Sequence, residues 1–186
     1  FIKTMVDDKR LIKQAKAGDR KALGDLSDLH QPAIYRYLVY RVRDAALAED
    51  ITAEVFVTMV RKLHTFEDRG RPFLAWLYTI AGNAIRMHFR KQKVEFSPFS
   101  EEMIDQNAAP DQIADKRLTH ERLLAFIPHL TEEQSQVIFM KFMDGFSNRE
   151  IAKVLGKTEG SIKALQHRAL ATLRNLLTQE VNIESA

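Results

Sequence analysis

The chain has 186 residues, of which 45% are hydrophobic, and its 28 Lys and Arg outweigh 25 Asp and Glu to give a formal net charge of +3. That length allows one or two small domains with real cores, and the composition is that of a soluble globular protein. There is no cysteine, which excludes disulfides and thiolate metal sites, and no apolar run near the ~20 residues a membrane span needs. The opening FIKTMVDDKR carries no signal-type apolar core, so a cytoplasmic location is expected.

In chain order, every periodic segment reads as helix. Asp7 to Ala17 makes a short one ending at Gly18, and Arg20 to Leu29 a second. Pro32 suits the first turn of a third, through Ile34, Tyr37, Leu38 and Val42. From Ala45 to Leu63, the residues Leu47, Ile51, Val55, Met59 and Leu63 recur every four positions, an amphipathic helix. TFEDRGRP breaks the pattern with Gly70 and Pro72, and Phe73 to Lys91 is a long helix containing Trp76, Leu77, Ile80, Ala84 and Phe89.

The character then changes. Residues 94–111 hold two prolines, no basic residue and no clean period, the composition of an acidic flexible linker. Charge divides the same way: +6 over residues 1–95, −5 over 96–115, +4 over 116–178. Two basic blocks around an acidic strip suggest a polyanion partner. A second helical block follows, with Ile113 to Phe126 stopped near Pro128, then Thr131 to Met143 opened by the capping pair Thr131 and Gln134. No two-residue alternation appears, so the fold class is all-α, with two small helical domains.

The last two helices carry the strongest signal. In SNREIAKVLGKTEGSIKALQHRAL, Ser147 and Glu150 form a capping box, Ile151, Val154 and Leu155 one apolar face, and Gly156 a left-handed stop. Thr158 caps a new helix with Ile162, Leu165, Ala169 and Leu173 inward. A short bracing helix turned tightly into a longer one is the geometry of a DNA-reading helix-turn-helix. Glu159, Gly160, Lys163, Ala164, His167 and Arg168 would then face the major groove behind Thr158. Gly160 and Ala164 are small enough for close approach, while Lys163 and Arg168 can reach phosphate or guanine. The same pattern also fits an ordinary helical hairpin with a solvated basic face.

AEDITAEVFV, FLAWLYTIAGNAIRMHFRK and LTEEQSQVIFMKFMDGFSNREIAKVLGKTEGSIKALQHRAL stand in order along the chain. Together they resemble the core-binding signature, the promoter-melting helix and the region-four helix-turn-helix of bacterial RNA polymerase sigma factors of the extracytoplasmic-function (ECF) type. The likeness runs from Asp7 to Leu177. It implies region 2 over residues 1–93, a linker over 94–111, region 4 over 112–178 and a tail to 186. It implies binding to the clamp helices and flap of the polymerase core, to promoter DNA, and control by an anti-sigma factor.

By the resemblance, Asp44, Leu47, Glu49, Asp50, Ile51, Glu54 and Val55 would meet the polymerase, an apolar patch with acidic neighbours for a basic helical partner. Melted minus-ten DNA needs stacking faces and pockets beside a basic groove. Arg61, Lys62, Phe66, Arg69, Arg71, Phe73, Arg86 and Arg90 supply those types, and Asn83 falls where the family places a base-contacting residue. The Glu67–Phe73 loop matches the family loop that helps hold a flipped base. Trp76 lies on the apolar stripe with Ile80 and reads chiefly as core. The acidic strip, with Glu95, Glu101, Glu102, Asp105 and Asp111, is expected to mimic RNA in polymerase channels. Leu165 and Gln166 stand where many family members have Arg and Leu, which leaves the promoter sequence open.

No cofactor, metal or catalytic site is expected. The six histidines (His30, His64, His88, His120, His129 and His167) form no HExxH pair and have no second ligand at metal spacing, and no phosphate-binding glycine motif occurs. Two other functions fit the same elements: a free-standing helix-turn-helix regulator, and a protein-only decoy or adaptor.

Overall fold

A computed structural model describes residues 2–68, 70–91 and 124–184, all of the regular structure there being helical. The helices are α1 (Ile2–Lys16), α2 (Arg20–Val42), α3 (Ala45–Lys62), α4 (Phe73–Lys91), α5 (Glu132–Ile138), α6 (Asn148–Leu155) and α7 (Glu159–Glu184). A 3₁₀ turn at Leu63–Thr65 ends α3, another at Ile127–His129 precedes α5, and a π-turn at Phe139–Met143 extends α5. The expected linker, residues 94–111, and the helix expected from Ile113 lie outside the described residues up to Leu124, as does Arg69.

Capping side chains set most of the starts. The Asp19 carboxylate accepts from the Lys21 and Ala22 amides at 2.9 and 3.2 Å, opening α2. Asp44 accepts from the Leu47 amide at 3.0 Å, opening α3. Complete capping boxes stand at Thr131/Gln134 and Ser147/Glu150. Each satisfies two amide donors that a helix start otherwise leaves unpaired. Arg43 closes α2 at φ 55°, its amide donating to the Val39 carbonyl.

One expected boundary is absent. Pro32 does not begin a helix; it sits, exposed, inside the continuous α2. Proline removes one ladder hydrogen bond and usually kinks or ends a helix. Here Leu26 and His30 before it, and Ile34, Tyr37 and Leu38 after it, share one buried face. Packing along that whole face outweighs the single lost bond.

The first unit, α1–α4, has Leu26, Ile34, Leu38, Ile51, Val55, Met59 and Leu77 at its centre. The second, α5–α7, is built on Leu130, Val137, Ile151, Ile162, Ala169 and Leu173. These cores are continuous. α2 and α4 of the first unit pack on α5, the turns flanking it and α6 of the second. Tyr37, Tyr78 and Phe139 lie fully buried at this seam, with ring centroids 5.1 Å (Tyr37–Tyr78) and 5.0 Å (Tyr37–Phe139) apart, both edge-to-face.

Candidate functional site

The helix-turn-helix has the expected form. Gly156 adopts φ 64° and ends α6, its amide bonding back to the Ala152 carbonyl. Two residues on, the Thr158 hydroxyl accepts from the Ser161 amide at 3.1 Å and starts α7. Ile162, Leu165, Ala169 and Leu173 turn inward, as their spacing predicts. Thr158, Glu159, Gly160, Lys163, Ala164, His167 and Arg168 are all exposed on the first turns of α7. The crossing of the two helices is fixed by a pair unforeseen in the sequence. The Asn148 and Gln166 amides exchange hydrogen bonds at 3.0 and 3.3 Å. Such reciprocal pairing needs each side chain in one orientation and so sets how far α7 projects beyond α6.

The surface expected to meet single-stranded DNA divides in two. Arg61, Lys62, Arg71, Asn83, Arg86 and Arg90 are exposed. Arg86 donates to the Asn83 side-chain oxygen at 2.6 Å, holding the amide in one orientation. Phe66 and Phe73, by contrast, are only 3% and 2% exposed. They pack at right angles with centroids 5.1 Å apart, against half-buried Trp76 at 5.2 and 5.4 Å. They carry the loop from inside and offer no open face for a base to stack on. Their edges form the floor of a shallow cleft at the loop's rim, lined also by Asp8, Lys9, Ile12, Asp68, Arg71 and Pro72.

That cleft brings in α1, to which no role was assigned from sequence. Lys9 pairs with Asp68 at 3.2 Å, and the Lys16 ammonium donates to the Phe66 carbonyl. Below them, His30 and Asp8 meet at 2.8 Å, buried, with the His30 ring 5.3 Å from Phe73. Thus α1 clamps the loop onto α2. A lone Asp and a lone His 22 residues apart carry no pattern that would have revealed this.

On α3 the outward and inward sets also separate. Ile51 and Val55 are 2% and 0% exposed and belong to the core, and Leu47 is half-buried. Asp44, Glu49, Asp50 and Glu54 are exposed. The apolar part of the outer face is Ala53, Val57 and Val60, the two valines being 50% and 47% exposed. Spacing by four defines one stripe, and the core took it. The signal for the other face was the second stripe 53–57–60, interleaved with the acids.

Two carboxylates at the seam between the units were also missed. Glu132 accepts from the Tyr37 hydroxyl and from Arg41 Nε at 3.1 Å, while Arg41 also donates to the Pro128 carbonyl at 3.1 Å. Asp144 accepts from the Tyr78 hydroxyl at 2.6 Å and Arg36 at 3.3 Å. Burial pushes the Asp144 carboxyl above its ordinary value, against the Tyr78 hydrogen bond and the Arg36 charge. Burial, and then the facing carboxylate, pushes both phenols well above theirs. No group of His, Asp and Glu among the described residues is arranged to hold a metal ion.

Comparison with known proteins agrees with this architecture. Sigma-70 region 2 matches residues 26–95, and Sigma-70 region 4 matches residues 120–173. The ECF RNA polymerase sigma factor BldN of Streptomyces coelicolor is 38% identical over 173 residues, 91% of this chain; the chain spans 66% of BldN's length. The ECF RNA polymerase sigma factor SigX of Bacillus subtilis is 32% identical over 166 residues, 84% of this chain and 85% of SigX. Among solved structures, CnrH in complex with the cytosolic domain of CnrY superposes with a TM-score of 0.66 at 26% identity, covering 93% of this chain and 98% of the other. The sigma factor RpoE of Bartonella quintana, in complex with the anti-sigma factor NepR, gives 0.62 at 25% identity over 85% of this chain and 98% of that one.

Proposed function

The chain belongs to the ECF sigma factors of the sigma-70 family, and from that premise we propose how its surfaces divide the work of bringing RNA polymerase core to promoters. The first unit, within residues 1–93, binds core and captures the melted minus-ten strand. The second, within residues 112–178, reads the minus-thirty-five duplex. The observation that carries this reading is the start of α7, from Glu159 to Arg168, where every residue expected in the major groove is exposed and Ile162 and Leu165 between them are buried.

Each contact then follows from chemistry. Lys163 and Arg168 offer charge-assisted donors to phosphate or to guanine edges, and Gly160 and Ala164 leave room for the helix to sit deep. Asn83, fixed by Arg86, presents an amide to an unstacked base, with Arg61, Lys62, Arg71 and Arg90 tracking the phosphates. The outer face of α3, with Glu49, Asp50 and Glu54 around Val57 and Val60, suits a basic helical partner with an apolar centre, such as the polymerase clamp. In this reading the chain supplies recognition and the polymerase performs the chemistry. The structural neighbours solved with CnrY and NepR support an anti-sigma partner here too. No described helix is long and apolar enough to cross a membrane, in keeping with action on cytoplasmic polymerase.

Run-off transcription with purified core tests the proposal. Initiation at a defined start that depends on added chain is the expected outcome. Operator binding without core, and no initiation, would instead mark a free-standing regulator. Tight binding to a protein partner with neither activity would mark a decoy.

A further inference from the structure

The first helix carries charge that strand capture, as described so far, leaves unused. Lys9, Lys13 and Lys16 recur at intervals of four and three, so they share one face of α1, and all three are exposed. Both ends of that stripe meet the loop between α3 and α4. Lys9 reaches Asp68 at 3.2 Å, and the Lys16 ammonium donates to the Phe66 carbonyl. Lys13 stands between them, and its ammonium engages no described residue.

The loop needs such help. Phe66 and Phe73 lie beneath it, so stacking between them cannot hold a melted strand there, and what remains at the rim is charge. Lys9 and Arg71 line one cleft, beside Ile12 and Pro72. Glu67 and Asp68 are exposed on the loop, but Asp8, the acid next to Lys9, is turned inward to His30 at 2.8 Å. The cations Lys9, Lys13, Lys16 and Arg71 thus outnumber the exposed carboxylates of the loop.

The Lys9–Asp68 pair does not close this surface. Its side chains are 67% and 36% exposed, and an ion pair so open to water is worth about 0–1 kcal/mol. A phosphate can draw Lys9 away at little cost, leaving Asp68 with the Gly70 amide at 3.3 Å. From Lys9 to Lys13 the helix advances about 6 Å, close to the step between successive phosphates of an extended strand. The stripe is also held in place. Leu11 and Ile12 are buried, and the buried Asp8–His30 contact pins the turn carrying Lys9 onto α2.

We propose that Lys9 and Lys13 bind successive phosphates of the melted strand, so that α1 forms one wall of its path past the loop. The inference rests on the strand-capture reading of the first unit and deepens it, giving α1 a part in DNA binding. The occupant is single-stranded DNA because the stripe joins Arg71 through a shared cleft. Lysines here supply charge and no base-reading pattern, so the contact is with the backbone and independent of sequence.

The test uses the 186-residue chain and a fluorescent oligothymidylate of about 16 nucleotides, the upper end of single-strand site sizes, with anisotropy read across a salt series. Lys9→Gln and Lys13→Gln should each weaken binding. Each should also reduce the slope of log affinity against log salt by about 0.7, the value for one phosphate contact on a single strand. The deficit of either variant should then shrink about 2.6-fold when salt is raised fourfold. Glutamine is nearly as good a helix former as lysine, so Lys13→Gln should keep the helical circular dichroism of wild type. Lys13→Arg retains the charge and should bind as wild type does. Arg174→Gln removes the same charge from an exposed site on α7, away from the stripe, and should leave the slope unchanged.

Unchanged slopes in both lysine variants, losses no greater than that of Arg174→Gln, or no binding by wild type at low salt would overturn the proposal. None of these readings involves polymerase. Run-off transcription with core is a separate measurement: initiation without the slope changes strikes out the α1 path alone. Slope changes without initiation leave that path standing and sink the sigma-factor reading.

Discussion

Specificity resides in a few side chains. Lys163, His167 and Arg168 project from one exposed face of α7. Replacing any one of them that contacts a base with Ala should cost about 1–3 kcal/mol of binding and relax preference at one or two base pairs. Binding to a panel of minus-thirty-five variants measures both effects, and an unchanged preference profile for all three substitutions would place recognition elsewhere. On the first unit, Asn83→Ala and Arg71→Ala should leave core binding intact and reduce open complexes. Permanganate reactivity of unpaired thymines reads that directly, and normal opening in both would remove them from strand capture. Phe73→Ala belongs to a different class. Phe73 is buried against Phe66, Trp76 and His30, so its loss should destabilise the unit by about 3–5 kcal/mol rather than alter DNA contacts selectively.

Among the elements, α6 depends strongly on its ends. It has eight residues, too few to be stable alone, and is held by its Ile151–Ala152 face and by the Ser147/Glu150 capping box. The Ser147 hydroxyl accepts from the Glu150 amide at 3.2 Å and the Glu150 carboxylate takes back the Ser147 amide at 2.8 Å. Ser147→Ala should therefore cost about 1 kcal/mol. The measurement is the urea midpoint of the chain with the denaturant slope unchanged, compared with Ser161→Ala on the exposed side of α7 as a reference. Equal midpoints for Ser147→Ala and wild type would show that packing alone positions the bracing helix.

For the whole molecule, the seam predicts an alkaline limit. Tyr37 and Tyr78 are held protonated well above the ordinary phenol value of about 10, first by burial and then by the facing carboxylates. A group that keeps its proton more tightly when folded lends stability that is fully present below the unfolded value and is lost as pH rises through the folded one. The packed seam should thus be insensitive to these phenols near neutrality and weaken progressively above about pH 10. Phenolate absorbance should show a delayed phase coinciding with separation of the units. The Tyr37→Phe, Tyr78→Phe double variant should lack that phase; its persistence would mean other groups control the alkaline transition.

Sequence alone determined what local physics controls. Capping at Ser147 and Thr131, the left-handed stop at Gly156 and the apolar faces of α3, α4 and α7 depend on residues within a turn or two of one another, so short-range pattern was enough for the elements and for the exposed face of α7. The order of three motifs then carried the family. Tertiary structure decided what depends on distant partners. An apolar stripe spaced by four shows that a face is buried but not against what, so only packing could send Ile51 and Val55 to the core and leave Val57 and Val60 outside. The same holds for Phe66 and Phe73 beneath their loop, and for α2 running unbroken through Pro32. The seam lay furthest from view: Tyr37 and Arg41 meet Glu132 across 95 and 91 residues, and Tyr78 meets Asp144 across 66. Nothing near a lone Glu or Asp in sequence says which cation or phenol will be folded onto it, because that pairing is fixed by how whole helices pack.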